Sequence, residues 1–466
     1  MSRIVILGGG PAGYEAALVA AELGAEVTVV ADEGLGGNCV LWDCVPSKAL
    51  IVAAEAMGWV QKADSLGVHA AGVTEPDRTF VDFPRVSARV LDLGASQSHD
   101  IERRVDAAGV HQVRGWGRLS GANQVTVELT DGGERTLEAD HVLVATGSRA
   151  RVLPFFEPDG ERVLVGQQVY DLPEVPERLI IVGSGATGAE FAHAFVRFGS
   201  EVTLVSSRDL ILPTQDPDAA QVIETVFERR GMTILRNSRA VSCERTDEGV
   251  RVGLKDGRHV EGSHVLFTVG QVPSSRGIGL EEVGIEPNAW GGIDVDSVGR
   301  TTQRWVYAAG DVTSRIMLAS VAAMQGRTAM WHALGQAVQP IRWDSVAATI
   351  FTDPEVATVG MSAEEAEAAG VPVRTATLDF RGNPRAKMVQ STDGFVKVHA
   401  MVGSGIVVGG VVVSSWASDL IQPLAVAVQN RMSVAQVAQT MSIYPSMSGS
   451  VAEACRMLMA RLDAPR

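Results

Sequence analysis

The 466-residue sequence has little cysteine, little histidine and no excess of positive charge, and each scarcity excludes a class of protein. Four cysteines are too few for the disulfide framework of a secreted domain, so we expect a reducing, cytoplasmic location. A formal net charge of −15 leaves no basic stripe for nucleic acid. The nine histidines are scattered, so we expect no metal site, and none of them follows His399.

Long apolar runs are also missing. No stretch approaches the ~20 apolar residues that cross a bilayer, and the apolar run at 4–7 is too short for a signal peptide. We therefore expect neither membrane insertion nor secretion. The hydrophobic and charged fractions, 46% and 20%, are ordinary for a globular enzyme, and the length predicts more than one domain.

Two glycine-rich turns carry most of the information that is present. Gly8-Gly9-Gly10-Pro11-Ala12-Gly13 lies between a predicted strand at 4–7 and an alanine-rich helix at 14–23, which a strand at 27–30 follows. Gly183-Ser184-Gly185-Ala186-Thr187-Gly188 has the same setting, with strands at 179–182 and 202–205 around a helix that ends near 198. A G-x-G-x-x-G turn in this setting indicates dinucleotide binding. We predict one flavin site and one nicotinamide site.

The chemistry of such a turn assigns a task to each glycine. The first (Gly8, Gly183) permits the tight turn, the second (Gly10, Gly185) lets the backbone approach pyrophosphate, and the third (Gly13, Gly188) packs helix on strand. An acidic residue at the end of the next strand normally holds the ribose, which makes Asp32 the candidate in the first unit. The second unit has Ser206, Ser207 and Arg208 there, which suit a 2′-phosphate. NADP(H) is therefore favoured, and NAD(H) remains possible.

The order of these segments predicts an interrupted first domain. A strand at 141–144 leads into Ala145-Thr146-Gly147-Ser148 as an exit from the first domain, and Gly270 ends a similar exit from the second. A strand at 306–311 then places Asp311 where it can meet a polyol hydroxyl. The stretch at 71–82 is loop-like.

We predict an α/β protein with two Rossmann-like domains, the second inserted in the first, and a C-terminal α+β domain. The predicted boundaries are 1–152 and 272–343 for the FAD-binding domain, 153–271 for the NAD(P)-binding domain and 344–466 for the C-terminal domain. The last of these is expected to contain strands at 395–399 and 406–413 and helices at 419–429, 433–440 and 451–462.

Cys39 and Cys44 are separated by four residues, Val-Leu-Trp-Asp. On a regular helix their Cα atoms would be roughly 8–9 Å apart, beyond the ~4.4–6.8 Å of a disulfide. The segment is therefore predicted to be a loop or a distorted turn. Pro46 suits the start of a following helix, whose N-terminus should lower the pKa of the Cys44 thiol. Cys243 and Cys455 stand alone and are interpreted as packing residues.

The segment Gly36-Gly37-Asn38-Cys39-Val40-Leu41-Trp42-Asp43-Cys44-Val45-Pro46-Ser47-Lys48 resembles the signature of the flavoprotein disulfide reductases, and of dihydrolipoamide dehydrogenases in particular. The resemblance extends over essentially the whole chain, through the Ala145–Ser148 turn, Glu190, the segment ending at Asp311, and Phe351-Thr352-Asp353-Pro354-Glu355-Val356.

That resemblance implies specific roles. Cys39 would be the outer thiol that meets a substrate, Cys44 the inner thiol that contacts the flavin, and Lys48 paired with Glu190 would lie near flavin N5. The C-terminal domain would form a homodimer. The implied cofactor contacts are Gly37, Asn38, Lys48, Gly117, Thr146, Gly147, Gly270, Asp311 and Ala319.

The departures from the family pattern decide the expected function. Tyr444 stands where a catalytic histidine is expected and Gly449 where its orienting glutamate is expected. Ala31 stands in place of the family's ribose-binding glutamate and Ser206 in place of its NAD-binding glutamate. Tyrosine, with an ordinary pKa near ~10, is a poor base at neutral pH, so dithiol exchange should be impaired. We expect an FAD-dependent NAD(P)H dehydrogenase that passes hydride through FAD to a quinone-type acceptor, with little or no lipoamide activity. Tyr444 stays the candidate catalytic residue at that position.

Three alternatives remain open. A disulfide reductase could use Cys39 and Cys44 with a proton relay that is not histidine. A flavin-bound redox sensor could use the same pair as a switch, although two intact nucleotide motifs argue against it. Mercuric reductases also resemble the chain, but the terminal cysteine pair that they need is missing from the sequence.

Overall fold

The computed structural model describes residues 1–69 and 80–460 of the chain. Most of the predicted loop at 71–82 lies outside the described residues, as does the end of the predicted helix at 451–462. Among the described residues, no helix combines the length and apolar character that crossing a membrane requires.

The first unit is built on a seven-stranded sheet that the chain enters twice. Its strands lie in the order β17-β6-β1-β2-β3-β4-β5. Their bounds are β1 Arg3–Leu7, β2 Glu26–Ala31, β3 His111–Gly121, β4 Gln124–Leu129, β5 Glu134–Glu138, β6 His141–Val144 and β17 Val306–Ala308. Strands β17, β6, β1, β2 and the start of β3 run parallel, whereas β3, β4 and β5 form an antiparallel meander.

Helices α1 Pro11–Glu22 and α7 Ala319–Ala333 pack on this sheet, and the unit also contains α2 Gly37–Leu41, α3 Cys44–Ala63 and α4 Phe83–Ala107. The predicted strand–turn–helix–strand unit is confirmed. The meander and α4 were not predicted. Helix α4 begins directly after the loop-like stretch at 71–82, so its amphipathic pattern was not recognised as a separate element. The predicted strand at 306–311 ends at Ala308, and Asp311 begins the 3₁₀-helix Asp311–Thr313.

The second unit lies between β6 and β17 in the chain, as the insertion prediction requires. Its parallel sheet has the order β11-β10-β9-β15-β8, beside an antiparallel sheet β12-β13-β14. The bounds are β8 Val163–Val165, β9 Arg178–Val182, β10 Glu201–Val205, β11 Thr233–Leu235, β12 Ala240–Thr246, β13 Gly249–Leu254, β14 His259–Gly262 and β15 His264–Phe267, with helices α5 Ala186–Phe198 and α6 Pro217–Arg229. The two connections between the units pair as antiparallel strands β7 Ser148–Ala150 and β16 Gln271–Pro273.

The C-terminal unit is an antiparallel sheet of order β18-β19-β22-β21-β20 with short helices. The bounds are β18 Ala347–Ile350, β19 Glu355–Gly360, β20 Val373–Asp379, β21 Phe395–Met401 and β22 Val407–Ser414, with α8 Ala363–Ala368, α9 Pro384–Met388, α10 Ala417–Leu420, α11 Gln422–Gln429, α12 Val434–Ala438 and α13 Gly449–Met459. Cys455 is fully buried in this core, which agrees with a packing role.

One predicted helix of this unit is wrong. The segment predicted as a helix at 419–429 forms two helices, α10 and α11, which meet at Ile421. The reason is Pro423, which has no N–H to continue the hydrogen-bond ladder of α10 and is tolerated only in the first turn of a new helix.

Candidate active site

The two glycine turns have the same geometry. A Cβ on Gly8 would lie 2.3 Å from the carbonyl oxygen of Ala145, and a Cβ on Gly13 only 1.9 Å from that of Gly8. In the second turn, a Cβ on Gly183 would lie 2.4 Å from the carbonyl oxygen of Thr268, and one on Gly188 only 1.9 Å from that of Gly183. The first and third glycines of each turn are therefore required by backbone contacts alone.

The middle glycine of each turn is different, because nothing lies within 4 Å of a Cβ built on Gly10 or Gly185. Gly10 and Gly185 are the N-caps of α1 and α5, and neither cap makes a side-chain hydrogen bond. Both helices thus present first-turn N–H groups and open space together, which is the arrangement that binds pyrophosphate. These residues fit two dinucleotides.

A single cleft of about 680 Å³ joins both turns to the cysteine segment. The candidate residues that line it are Gly8, Gly10, Asp32, Gly37, Asn38, Cys39, Cys44, Thr146, Gly147, Gly185, Gly270, Asp311 and Ala319. The candidates that do not line it are Gly13, Lys48, Gly117, Gly183, Gly188, Glu190, Ser206, Ser207, Arg208 and Tyr444. Gly117 lies within strand β3 instead, where a Cβ would lie 2.6 Å from the Leu7 side chain.

The cysteine pair lies at a break between two helices. Cys39 is on α2 and Cys44 is the first residue of α3, so the predicted distorted turn is confirmed, as is the position of Pro46 in the first turn of α3. Both thiols are free. The break lets residues five apart in sequence meet, which a continuous helix would not allow.

The expectation that the helix N-terminus lowers the pKa of Cys44 is wrong. A hydrogen bond from Cys44 lowers the pKa of the Cys39 thiol, although burial and Asp43 oppose that shift. The same hydrogen bond, together with burial, raises the pKa of Cys44 far above its ordinary value. The interaction between the two thiols, together with burial, sets these directions rather than the helix terminus.

Lys48 and Glu190 form an ion pair close to Cys44, with Nζ and Oε2 2.8 Å apart. Glu190 is buried on α5, and its Oε1 accepts a hydrogen bond from the backbone N–H of Phe351 at 2.9 Å. Burial disfavours the Lys48 ammonium, but Glu190 more than compensates, so the net effect is a raised pKa. Lys48 is thus a fixed positive charge that links α3 of the first unit to α5 of the second.

Asp311 is held in the cleft by Ser148, whose hydroxyl donates to Asp311 Oδ2 at 2.7 Å. The Asn38 side chain donates to the backbone oxygen of Ser148 at 2.5 Å, so the cysteine segment, the Ala145–Ser148 exit and Asp311 are connected. Burial raises the pKa of Asp311, and the Ser148 hydrogen bond opposes that shift. Ser148 was not among the predicted residues; its place directly after Ala-Thr-Gly was the available signal.

The two ribose candidates lie in different surroundings. Asp32 lines the cleft, and its Oδ1 accepts a hydrogen bond from the N–H of Glu33 at 3.0 Å. Ser206 is fully buried and accepts a hydrogen bond from the Ser184 hydroxyl at 2.8 Å. Its oxygen also accepts from the Arg208 N–H, so Ser206 shapes the turn before Arg208.

No described histidine lines the cleft. The two most deeply buried ones are held neutral, because burial lowers the pKa of His193 to about 3 and that of His399 to about 4. Tyr444 is 84% exposed and lies outside the cleft of its own chain, and Gly449 begins α13. The thiols therefore have no imidazole base within the described chain.

Asp43 is a cleft residue that sequence reasoning missed. It lies between the two cysteines at the start of α3 and lines the cleft with them. Solvent reaches its side chain through the cleft, yet the surrounding protein raises the pKa of the carboxyl by desolvation, while Lys48 opposes the shift. A carboxylate inside the Cys-x₄-Cys segment was the signal that could have found it.

The fold and the cleft define a protein with two dinucleotide sites that open onto one thiol pair. Residues 2–326 match the family model described as Pyridine nucleotide-disulphide oxidoreductase, and residues 346–455 match its dimerisation domain. The chain belongs to the pyridine nucleotide-disulphide oxidoreductase family, whose members depend on FAD and a pyridine nucleotide.

Known relatives cover nearly the whole chain. It is 49% identical to a protein of Mycobacterium tuberculosis (strain H37Rv) named NAD(P)H dehydrogenase (quinone), over 99% of this chain and 95% of that protein. It is 33% identical to the dihydrolipoyl dehydrogenase of Zymomonas mobilis, over 97% and 96% of the two chains. The crystal structure of LpdA from Mycobacterium tuberculosis superposes with a TM-score of 0.93 at 49% identity, covering 98% of this chain and all of that one.

Proposed function

We propose that the protein is an FAD-dependent NAD(P)H dehydrogenase that reduces quinones. The observation that carries the proposal is a cleft with two dinucleotide-binding turns and a thiol pair, but no described histidine to serve that pair. When bound, FAD supplies a two-electron carrier between the nicotinamide and the acceptor. The relative named NAD(P)H dehydrogenase (quinone), at 49% identity, supports the same assignment.

The chain's own residues divide the work. We propose that the open turns at Gly10 and Gly185 bind the two pyrophosphates, that Asp32 binds the flavin-side ribose, and that Asp311 binds the polyol. Lys48, held by Glu190, would place a positive charge where the reduced cofactor carries a negative one. Gly37, Asn38, Thr146, Gly147, Gly270 and Ala319 would form the walls. Cys39 and Cys44 would form the part of the cleft wall that carries the two thiols.

A quinone suits this site better than a disulfide substrate. Exchange of a disulfide needs a base that takes a proton from one thiol and returns it to another. Tyr444 lies outside the cleft of its own chain, whereas a planar quinone needs only a hydride and one proton. One observation favours disulfide reduction as the second candidate: Cys39 has a lowered pKa beside a thiol donor.

We further propose NADP(H) as the favoured nicotinamide, supported by Ser207 and Arg208 after β10 and by the lack of a carboxylate among residues 206–208. The proposed boundaries are 1–152 and 272–343 for the FAD-binding domain, 153–271 for the NAD(P)-binding domain and 344–466 for the dimerisation domain. The dimerisation-domain match supports a homodimer, and the scarcity of cysteine supports the cytoplasm.

A steady-state assay with a panel of acceptors tests the proposal. Purified holoenzyme is mixed with NADPH or NADH and with a benzoquinone, lipoamide or glutathione disulfide. We expect rapid turnover with the benzoquinone, higher kcat/KM with NADPH, and turnover with either disulfide at least about 100-fold lower, since general acid–base catalysis contributes on that order. Lipoamide turnover as fast as quinone turnover would establish the disulfide reductase instead.

A further inference from the structure

We propose that Asp43 is the proton donor for the acceptor that is reduced in this cleft. The inference rests on the proposed quinone reduction and adds a catalytic residue to it. Asp43 has the required position, because it lies between Cys39 and Cys44 at the break between α2 and α3, on the wall of the cleft that both units share.

The proton balance of the reaction calls for such a group. Reduction of a quinone to a hydroquinone consumes two electrons and two protons. The hydride that NAD(P)H supplies carries both electrons and one proton, so one further proton must reach the second quinone oxygen. In this step the O–H bond of the Asp43 carboxyl breaks, a new O–H bond forms on the quinone, and the carboxylate regains a proton from water in the cleft.

Asp43 differs from the other carboxyl groups that line the cleft. Asp32 accepts a hydrogen bond from the Glu33 N–H, Glu33 from the Trp42 indole at 2.7 Å, and Asp311 from Ser148. The Asp43 carboxyl accepts none from the described residues, and it does not cap α3. It is therefore the cleft carboxyl that is free to direct its proton at a ligand.

The groups that face Asp43 keep it protonated more readily than a surface aspartate. Desolvation raises the pKa of Asp43, and Lys48 is the opposing charge. Cys39, Cys44, Asp311 and Tyr170 are the other titratable groups that its charge influences, and none of them is a cation at neutral pH. A proton donor near neutral pH needs this kind of surrounding.

Tyr170 is a buried tyrosine close to the same cleft. It lies in the 3₁₀-helix Gly166–Asp171, whose first two residues line the cleft, and is only 2% exposed. Its hydroxyl has no hydrogen-bond partner among the described residues. Burial raises the pKa of Tyr170, and the charges of Asp43, Glu190 and Cys44 raise it further, so it stays a neutral O–H. Tyr170 is therefore a neutral, unpartnered hydroxyl whose ionisation the charge of Asp43 opposes.

The test compares two acceptors that differ in proton demand. Ferricyanide takes one electron and no proton, whereas a benzoquinone requires the donated proton. For Asp43→Asn we expect the ratio of quinone turnover to ferricyanide turnover to fall by about 10-fold or more, the lower range for loss of a general acid. Asp43→Glu should restore most of the ratio. The matched control is Asp64→Asn at the exposed far end of α3, which should leave the ratio unchanged.

The pH dependence of the quinone-to-ferricyanide ratio tests whether the protonated form of Asp43 is the active one. A donor works when protonated, so the wild-type ratio should fall as pH rises through the pKa of Asp43, and Asp43→Asn should remove that fall. A wild-type ratio that does not change with pH would overturn the inference, even if Asp43→Asn does not fold.

A thiol measurement supplies a readout other than activity. Iodoacetamide labelling of pre-reduced protein, with Cys39 located by peptide mass spectrometry, should be faster in Asp43→Asn at a pH above the midpoint of the wild-type ratio, where Asp43 is ionised, because the nearby negative charge that opposes the Cys39 thiolate is gone. Equal labelling rates would place Asp43 too far from the thiols to act there.

If the wild-type enzyme fails to reduce quinones at all, the proposed function falls as well; if only the Asp43→Asn effect is missing, the proposed function stands.

Discussion

At the scale of single residues, the Lys48–Glu190 pair is the most constrained charge in the site. Glu190 is only 6% exposed, and its two oxygens are used by Lys48 and by the Phe351 amide. A buried ion pair adds little net stability, but the removal of one partner leaves an unpaired buried charge. The main effect of the pair is therefore to hold a positive charge next to the thiols, and its contribution to stability is small.

We expect Lys48→Met to lower the free energy of unfolding by about 2 kcal/mol, less than for a fully buried pair because the Lys48 side chain is 30% exposed. Lys48→Met/Glu190→Gln should recover part of the loss. The control is Lys62→Met on the same helix, where a contact with the Trp59 ring and a charge interaction with Asp353 are lost, and the cost should stay below about 1 kcal/mol. Urea unfolding measures all three; equal losses for Lys48→Met and Lys62→Met would contradict the assignment.

Several single residues could be predicted from the sequence and others could not. The two glycine turns and the Lys48–Glu190 partnership follow from motif context, because backbone contacts or cofactor motifs fix those positions. The directions in which the two thiol pKa values shift could not be predicted from the sequence, because they depend on the interaction between the two side chains. Asp43 was missed because its significance comes from the groups that face it across the cleft.

At the scale of elements, each dinucleotide site depends on one strand–turn–helix unit. In both units the third glycine lets the helix approach the turn so closely that a methyl group would lie 1.9 Å from a carbonyl oxygen. No flexible side chain can yield there, because the atom that would be hit belongs to the backbone. Displacement of the helix would move its first-turn N–H groups away from the pyrophosphate.

We therefore expect Gly13→Ala to abolish FAD retention, measured as the visible absorbance of the purified protein. Gly188→Ala should leave the protein yellow but raise KM for NADPH by about 10-fold or more, the effect of about 1.4 kcal/mol of lost binding. Gly382→Ala is the control, because its Cβ would meet open space at a φ that any residue adopts. Flavin loss in Gly188→Ala but not in Gly13→Ala would reverse the assignment of the two sites.

At the scale of the whole molecule, the C-terminal unit is tied to the second unit by buried charges. Asp353 accepts from Arg230 at 2.5 Å and from Arg197 at 3.0 Å. Burial alone would raise the pKa of Asp353, but the two arginines and the other nearby cations lower it, so it stays ionised. These ion pairs join the C-terminal unit to the second unit, whereas one segment of the C-terminal unit is left exposed.

That uncovered segment precedes α13 and includes Met441, Ile443 and Tyr444, which are 98%, 81% and 84% exposed. Three large apolar side chains in one short segment are unusual on a free surface. We expect them to be buried in a homodimer, so Ile443→Asp should shift the mass measured by light scattering from dimer to monomer. Trp290→Asp, at a 79% exposed residue of the first unit, is the control and should stay dimeric. A dimeric Ile443→Asp would place the interface elsewhere.

The central claim is that electrons reach a quinone without disulfide exchange, and rapid mixing of the reduced enzyme tests it most directly. The holoenzyme is first reduced anaerobically with one equivalent of NADPH and then mixed with a benzoquinone or with lipoamide, while flavin absorbance is followed. We expect reoxidation by the benzoquinone within the turnover time, in the wild type and in Cys44→Ser alike, and scarcely any by lipoamide. Reoxidation by lipoamide at the quinone rate, lost in Cys44→Ser, would contradict the claim.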